Sequence, residues 1–290
     1  MGLGSVKVKG KKFKVEEMLG LIKLNVNYME IEEITEINGL SKVKNVTSLD
    51  LSNNKIKDFS GLEVLPNLQQ LHLSNNQFKV IEGLDTLTKL DRIFLSGNNI
   101  TELKGLENLT NLIWLEINNN KIAEIKGLDS LTSLVKLTFV GNQIEEIKGL
   151  ENLSSLVALD LNRNQITEIK NLDSLTNLER LFLGYNQISE IKGLEALTKL
   201  TVLYLNSNNI KELKNLESLV NLETLYLDTN QLPNLNNFEN LEKLEKLHVL
   251  FLGMNPIKGE DKQFAKDKIE REEVKKLLQS YREWKNKKGN

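Results

Sequence analysis

Cysteine is absent from the sequence, and histidine occurs only at His72 and His248. These scarcities exclude disulfide bonds, thiolate metal sites, cysteine nucleophiles and a histidine-rich metal site. The apolar runs stay well short of the roughly 18 residues that a membrane-spanning helix requires. The first residues, Met-Gly-Leu-Gly-Ser-Val-Lys-Val-Lys, also lack the apolar core of a signal peptide. We therefore expect a cytoplasmic protein that has no membrane partner.

An excess of one charge sign is likewise missing. The 290 residues carry a formal net charge of −2, so the basic footprint of a whole-chain nucleic-acid binder is absent. Neither a P-loop nor a G-x-G-x-x-G motif stands between a strand and a helix. We expect no nucleic-acid partner, no cofactor and no metal ion. The 40% of hydrophobic and 27% of charged residues are typical of a folded chain.

What the sequence does contain is an internal repeat. The segment LIWLEINNNKI, which begins at Leu112, recurs 22 residues later as LVKLTFVGNQI, and the full unit reads LxxLxLxxNxIxxIxxLxxLxx. Nine units follow one another without a gap, and they begin at Val46, Leu68, Leu90, Leu112, Leu134, Leu156, Leu178, Leu200 and Leu222. A tenth unit runs from Leu247 to Ile257, and a degenerate half-unit around Gly39 precedes the array.

Each unit predicts one strand and one tight turn. Apolar residues alternate with polar ones in LxLxxN, which is the period of a strand with one buried face. The spacing of three in IxxIxxLxxL indicates a 3₁₀-like or short helical turn. Neither half can bury its apolar side alone, so the units must stack. We predict an α/β solenoid with a curved parallel sheet on its concave face and the turns on its convex face.

The unit resembles the leucine-rich repeat family in its 22-residue class, which includes a regulatory subunit of protein phosphatase 1 and the bacterial internalins. The resemblance covers roughly residues 24–257 and rests on ten recurrences of one signature. It implies a right-handed superhelix. The family shares a scaffold and not one function, so the resemblance does not identify a partner.

Two columns of the repeat indicate structural roles. The first consists of asparagines whose buried amides can pair with backbone groups of adjacent turns: Asn54, Asn76, Asn98, Asn120, Asn142, Asn164, Asn186, Asn208, Asn230 and Asn255. The second contains only residues that tolerate a left-handed backbone: Gly39, Gly61, Gly83, Gly105, Gly127, Gly149, Asn171, Gly193, Asn215 and Asn237. Convex rows of glutamate and lysine, also 22 residues apart, are expected to neutralise each other.

The two ends are expected to cap the array, which gives three domains: residues 1–45, 46–257 and 258–290. Residues 5–15 predict a hairpin whose lysines protect an exposed strand edge, although they could instead form a basic patch. Residues 16–24 predict a short helix. Residues 260–286 predict a longer one, with its apolar side chains on one face: Ile269, Val274, Leu277, Leu278, Tyr281 and Trp284.

The concave positions, which the repeat does not dictate, are the candidates for binding. In the central concave column the last four residues are aromatic: Phe182, Tyr204, Tyr226 and Phe251. On stacked strands they would form a ridge about 14 Å long, with Tyr185 and Arg180 beside it. Aromatic side chains are enriched at interface hot spots. The alternative is that these rings pack on one another or lie under the C-terminal cap.

A second candidate patch lies on earlier strands, where a tryptophan stands between opposite charges. It consists of Arg92, Phe94, Trp114, Glu116 and Lys136. We treat it as a secondary anchor for the same kind of partner.

The sequence predicts a monomeric, non-enzymatic module that binds a protein or peptide on its concave face, as a regulatory or scaffold subunit. His72 has Ser48, Asp50 and Ser74 as neighbours, but short polar residues fill such a face by default, so we expect no catalytic residue. Two alternatives stay open. One is an extracellular or surface recognition protein of internalin type. The other is a tether to a membrane or acidic surface through the basic C-terminal helix.

Overall fold

The computed structural model describes residues 3–236, 238–264, 268–270 and 272–288. The chain divides into two compact units: unit 1 ends at Gln143, and unit 2 begins at Ile144. The division falls inside a repeat, so the repeat pattern runs through both units.

Unit 1 opens with two antiparallel hairpins. The first pairs β1 (Ser5–Val8) with β2 (Lys11–Lys14), as predicted, and the second pairs β3 (Glu16–Met18) with β4 (Leu21–Asn25). Parallel strands then follow β4, one for each repeat: β5 (Ser48–Asp50), β6 (Gln70–His72), β7 (Arg92–Phe94), β8 (Trp114–Glu116) and β9 (Lys136–Thr138). Short 3₁₀ turns occupy Ile34–Glu36, Leu40–Lys42 and Leu62–Val64.

The helix predicted for residues 16–24 is wrong, because this segment forms the second hairpin. Leu19 and Gly20 both have positive φ, at 53° and 76°, which makes the tight connection between the two strands. Strand β4 then pairs in parallel with β5 and places Leu24 opposite Leu49. The unpaired backbone groups at the sheet edge are satisfied in this way, which a helix could not have done.

Unit 2 continues with parallel strands: β10 (Ala158–Asp160), β11 (Arg180–Phe182), β12 (Val202–Tyr204), β13 (Thr224–Tyr226) and β14 (Val249–Phe251). Strand β15 (Lys268–Glu270) pairs antiparallel with β14 and ends the sheet. A 3₁₀ segment at Phe238–Lys243 precedes β14, and another at Gly259–Phe264 follows it. Helix α1 (Glu272–Lys288) is the one α-helix of the described residues.

The C-terminal helix predicted over 260–286 is correct only from Glu272 onward. The carboxylate of Asp261 is buried and accepts the backbone N–H of Leu235 at 2.9 Å, which fixes the 3₁₀ segment against an earlier turn. The backbone of Ile269 belongs to β15. Its side chain is not among those that the structure describes. Four residues of the predicted apolar face are buried in α1: Val274, Leu277, Leu278 and Tyr281. The Tyr281 hydroxyl donates to the carbonyl of Leu235 at 2.7 Å.

The two structural columns are confirmed where the structure describes them. The Asn76 amide donates to the carbonyls of Leu51 and Leu73 at 3.0 and 3.1 Å, and its oxygen accepts the N–H of Ile56 at 3.0 Å. Gly105 has φ of 88°, and a Cβ there would stand 2.0 Å from the Ile81 carbonyl oxygen. Asn237 lies outside the described residues.

Glutamate and lysine side chains on the connecting segments pair between neighbouring repeats. Lys170 lies 2.8 Å from Glu146, and Lys104 lies 3.0 Å from Glu82. The hydrogen bond from Lys170 lowers the pKa of Glu146. These side chains are about half exposed, so each pair contributes little to the free energy of unfolding.

The predicted solenoid is confirmed, with about ten turns, a parallel sheet and few helices. The leucines and isoleucines of the repeat are almost completely buried between sheet and turns. Within the described part of the chain, no helix is both long and apolar enough to cross a bilayer. The division into residues 1–45, 46–257 and 258–290 stays a prediction.

Candidate functional site

The strand register of unit 2 places four aromatic side chains in one row. Phe182 pairs with Tyr204, Tyr204 with Tyr226, and Tyr226 with Phe251. Each follows a fully buried leucine in its strand, so each points to the opposite face from the core. We call this row the aromatic ridge. All four side chains are half-buried.

The rings of the aromatic ridge contact one another. Phe182 meets Tyr204 edge to face, with ring centroids 4.9 Å apart. Tyr204 and Tyr226 are 4.1 Å apart and tilted by 35°, and Tyr226 stacks on Phe251 at 4.1 Å and 14°. Mutual packing, which the sequence left open as an alternative, therefore accounts for part of their burial. All four rings nevertheless remain partly accessible.

The two ridge tyrosines are coupled through their hydroxyl groups. Burial, together with a hydrogen bond to Tyr226, raises the pKa of Tyr204 to about 12. Two residues beyond Tyr226 along the chain, burial raises the pKa of the Asp228 carboxyl, one oxygen of which is buried without a hydrogen-bond partner.

The residues predicted beside the ridge are exposed. Tyr185 keeps 49% of its surface accessible, and the Arg163 guanidinium lies over its ring at 4.5 Å. Arg180 is exposed at the start of β11, two residues before Phe182. Met254, which the sequence analysis did not single out, is 80% exposed just beyond Phe251. The ridge is thus flanked by cationic groups at one end and by an exposed thioether at the other.

The second predicted patch also comes together, in unit 1, but it includes a residue that sequence reasoning missed. His72 stacks on Phe94 with centroids 4.4 Å apart, and Phe94 meets Trp114 edge to face at 5.1 Å. The Lys136 ammonium lies 3.9 Å above the Trp114 ring. We call His72, Phe94, Trp114 and Lys136 the mixed cluster.

Charged residues of the second patch are already engaged. Glu116 accepts a hydrogen bond from the Ser96 hydroxyl at 2.8 Å. Arg92 lies 3.6 Å from the carboxylate of Asp91, and burial raises the pKa of that carboxyl. The indole N–H of Trp114 is buried without a partner. The patch therefore carries more charge than the aromatic ridge, and its polar groups are only partly paired.

His72 was considered in the sequence only as a possible base. Burial lowers its pKa, and among the described residues it forms no hydrogen bond with a serine. Its position one repeat before Phe94 in the same column was the signal that could have placed it in the cluster. That His72 stacks on Phe94 could be found only from the positions of the two rings in the structure.

Comparison with protein families gives matches along most of the repeats. A family model described as Leucine Rich repeats (2 copies) matches residues 66–108, 110–152, 154–196 and 198–240. A second model, described as Leucine Rich Repeat, matches residues 45–65. No curated protein matches the chain significantly.

Similar folds occur among solved structures. An internalin (inlF) from Listeria monocytogenes is 30% identical, with 82% of each chain covered and a TM-score of 0.56. YopM from Yersinia enterocolitica is 28% identical over 74% of this chain and 44% of its own, with a TM-score of 0.61. The chain of a TLR13–ssRNA13 complex is 25% identical over 81% of this chain and 36% of its own, with a TM-score of 0.69.

Proposed function

Because the chain belongs to the leucine-rich repeat family, we propose that it is a non-enzymatic module that binds a protein or peptide through the aromatic ridge of unit 2. Proteins of this fold are generally protein-interaction modules. The observation that carries the proposal is the register that sets four half-buried aromatic side chains in one row at positions the repeat does not dictate.

The physical case for the ridge rests on area and rigidity. Aromatic side chains bury a large area with few rotatable bonds, so they lose little conformational entropy on binding. The ridge rings are further restrained by their neighbours at 4.1 to 4.9 Å. A preformed surface of this kind keeps more of its contact energy as affinity than a flexible one.

A protein partner fits the ridge better than a nucleic acid does. Single-stranded nucleic acids bind by stacking bases on free aromatic faces. The faces of Tyr226 and Phe251 are turned toward each other, which leaves edges and hydroxyl groups for a partner. Apolar side chains of a protein can pack on the ring edges, and its backbone polar groups can form hydrogen bonds with the hydroxyl groups. Because a protein of similar fold, TLR13, was solved in complex with ssRNA13, the test below includes nucleic acid as an outcome.

The two alternative functions make different demands. Surface recognition of internalin type would use the same strand face, and the cytoplasmic location stays a prediction. A membrane tether through α1 is disfavoured because its apolar residues are already used: Val274 and Leu277 are buried, and Tyr281 packs on Phe238. The exposed side of α1 carries lysines such as Lys275 and Lys276, so contact with an acidic surface would be electrostatic.

The test compares three forms of the full chain as baits in lysate of the source organism. The first is the unaltered protein and the second is Phe182→Ser/Tyr204→Ser/Tyr226→Ser. The third is a matched control, Tyr28→Ser/Val135→Ser/Val220→Ser, which removes exposed apolar side chains outside the ridge. Circular dichroism checks that all three are folded.

A partner that is held by the first and third baits and lost by the second supports the proposal. Titration of that purified partner then gives its affinity for each form. The proposal fails if the ridge variant retains every partner of the unaltered protein. Nuclease treatment that removes the partner would assign the ridge to nucleic acid instead.

A further inference from the structure

A pocket of about 650 Å³ opens between the amino-terminal hairpins and the strand face of unit 1. Lys12 and Lys14 of β2 line one side, and Lys23 of β4 lines another. Asp50 and His72, on β5 and β6, also line it. The volume is that of an ordinary ligand site in a protein. This pocket is separate from the aromatic ridge, which lies in unit 2.

Three ammonium groups and two carboxylates line this pocket, so its lining carries a net formal charge of +1. The side chains of Lys12, Lys14 and Lys23 form no hydrogen bond and no ion pair with any residue that the structure describes. Residues 5–15 contain five lysines and no acidic residue. The Asp50 carboxylate is partly engaged, because it accepts the backbone N–H of Ser52 at 2.9 Å.

Protection of a strand edge does not by itself explain this placement. Edge protection accounts for Lys12 and Lys14, which are exposed on the hairpin, but not for Lys23, which lies on β4 and is half-buried. Apolar groups accompany the lysines: Phe13 is half-buried and Met18 is 52% exposed at the pocket. Lysine ammonium groups beside apolar surface suit an anion carried on an aliphatic side chain.

We propose that this pocket binds acidic side chains of a peptide, in a segment rich in glutamate or aspartate. Three ammonium groups supply the opposite charge, and Phe13 and Met18 contact the methylene groups. A phosphodiester backbone fits less well, because it offers no aliphatic side chain to Phe13 and Met18. The lining also lacks arginine, whose planar fork suits phosphate. The site lies outside the proposed function of the ridge and does not depend on it.

The probe is a fluorescein-labelled, amide-capped hexaglutamate peptide, titrated with the full chain at low salt and neutral pH and read by fluorescence anisotropy. The test variant is Lys12→Gln/Lys14→Gln/Lys23→Gln. The matched control, Lys7→Gln/Lys11→Gln/Lys42→Gln, changes the net charge equally at exposed lysines that do not line the pocket. Single variants at Lys12 and Lys14, both exposed on a hairpin, keep the test valid if the triple variant does not fold.

We expect saturable binding that weakens by about tenfold in the pocket variant and by less than about twofold in the control. A hexaglutamine peptide should not compete. Equal losses in the two triple variants would reduce the effect to net charge and overturn the proposal, as would the absence of saturable binding. Stronger displacement by single-stranded DNA or by inorganic phosphate than by unlabelled hexaglutamate would assign the pocket to phosphate groups. A ridge variant should bind the probe normally, so this test and that of the ridge fail independently.

Discussion

The aromatic ridge and the mixed cluster occupy equivalent strand positions but differ in chemistry. The ridge draws all four rings from one column, and each ring contacts its neighbour in that column. The mixed cluster draws on two columns of strand positions: His72 and Phe94 lie in one, and Trp114 and Lys136 lie in the other. The Lys136 ammonium lies over the Trp114 ring. The same backbone register supports both arrangements. What a surface of this scaffold can bind is therefore set by residues outside the repeat signature.

The largest predicted effect tests whether the scaffolds beneath the two surfaces are equally stable. Leu115 lies beside Trp114 and Leu203 beside Tyr204, and both leucines are completely buried. Leu115→Ala and Leu203→Ala should each lower the free energy of unfolding by about 2–5 kcal/mol, because each leaves a cavity. Urea denaturation followed by circular dichroism measures both. A variant with unchanged stability would show that its region is not packed as described.

The next effect concerns the hydroxyl pair, which only the ridge has. Tyr226→Phe should cost about 0.5–1.5 kcal/mol through the lost hydrogen bond and move the pKa of Tyr204 down from about 12 toward its ordinary value of 10.0. A raised pKa stabilises the folded protein below pH 10, and that stabilisation disappears as the pH rises from 10 to 12. Ultraviolet titration of tyrosinate measures the shift, with Tyr204→Phe to identify the signal. A pKa of Tyr204 that stays at about 12 in Tyr226→Phe would contradict the coupling.

A smaller effect belongs to the cation that only the mixed cluster has. Lys136→Met keeps most of the aliphatic chain and removes the charge over Trp114, so it should cost about 0.5–1 kcal/mol. A double-mutant cycle with Trp114→Leu isolates the interaction between the two side chains. A coupling energy of zero would mean that the 3.9 Å contact does not contribute to stability.

The smallest predicted effect is a pH dependence of the free energy of unfolding that comes from the imidazole of His72 in the mixed cluster. Because burial lowers the pKa of His72 below 6.5, the unfolded chain takes up the proton more readily. The stabilisation is present above pH 6.5 and is lost as the pH falls through this value toward the pKa of the folded state. His72→Gln should flatten that part of the dependence of unfolding free energy on pH. His248→Gln, at an exposed histidine outside the mixed cluster, serves as the control substitution.

The scaffold was predictable because its constraints repeat. Every buried asparagine such as Asn76 forms hydrogen bonds with the same backbone groups of the neighbouring turn. The spacing between successive asparagines in the sequence therefore gives the number of residues in one turn. The row of ridge rings follows from the same spacing. The contact of Phe94 with Trp114 does not, because it crosses between columns and depends on side-chain rotamers.

The ends were predicted less well because no repeat constrains them. Apolar segments as short as residues 16–24 fit a helix or a strand equally by composition. The unpaired edge of the sheet decides the outcome, since it offers hydrogen-bond partners to β4 and to β15. The pocket beside Lys23 forms because the two amino-terminal hairpins pack against the strand face of unit 1. The sequence shows the lysines, but it does not show the cavity between them.

The asparagine amides also bear on how such a surface can change over generations. Each one pairs the backbone of its own turn with that of a neighbour, so a duplicated unit brings its own donors and acceptors. Tandem duplication of one unit of the gene within unit 2 would add one rung and extend the ridge by about 4.8 Å. Loss of one unit would shorten it equally. The reach of the surface can therefore evolve in whole steps, independently of the residues that give it specificity.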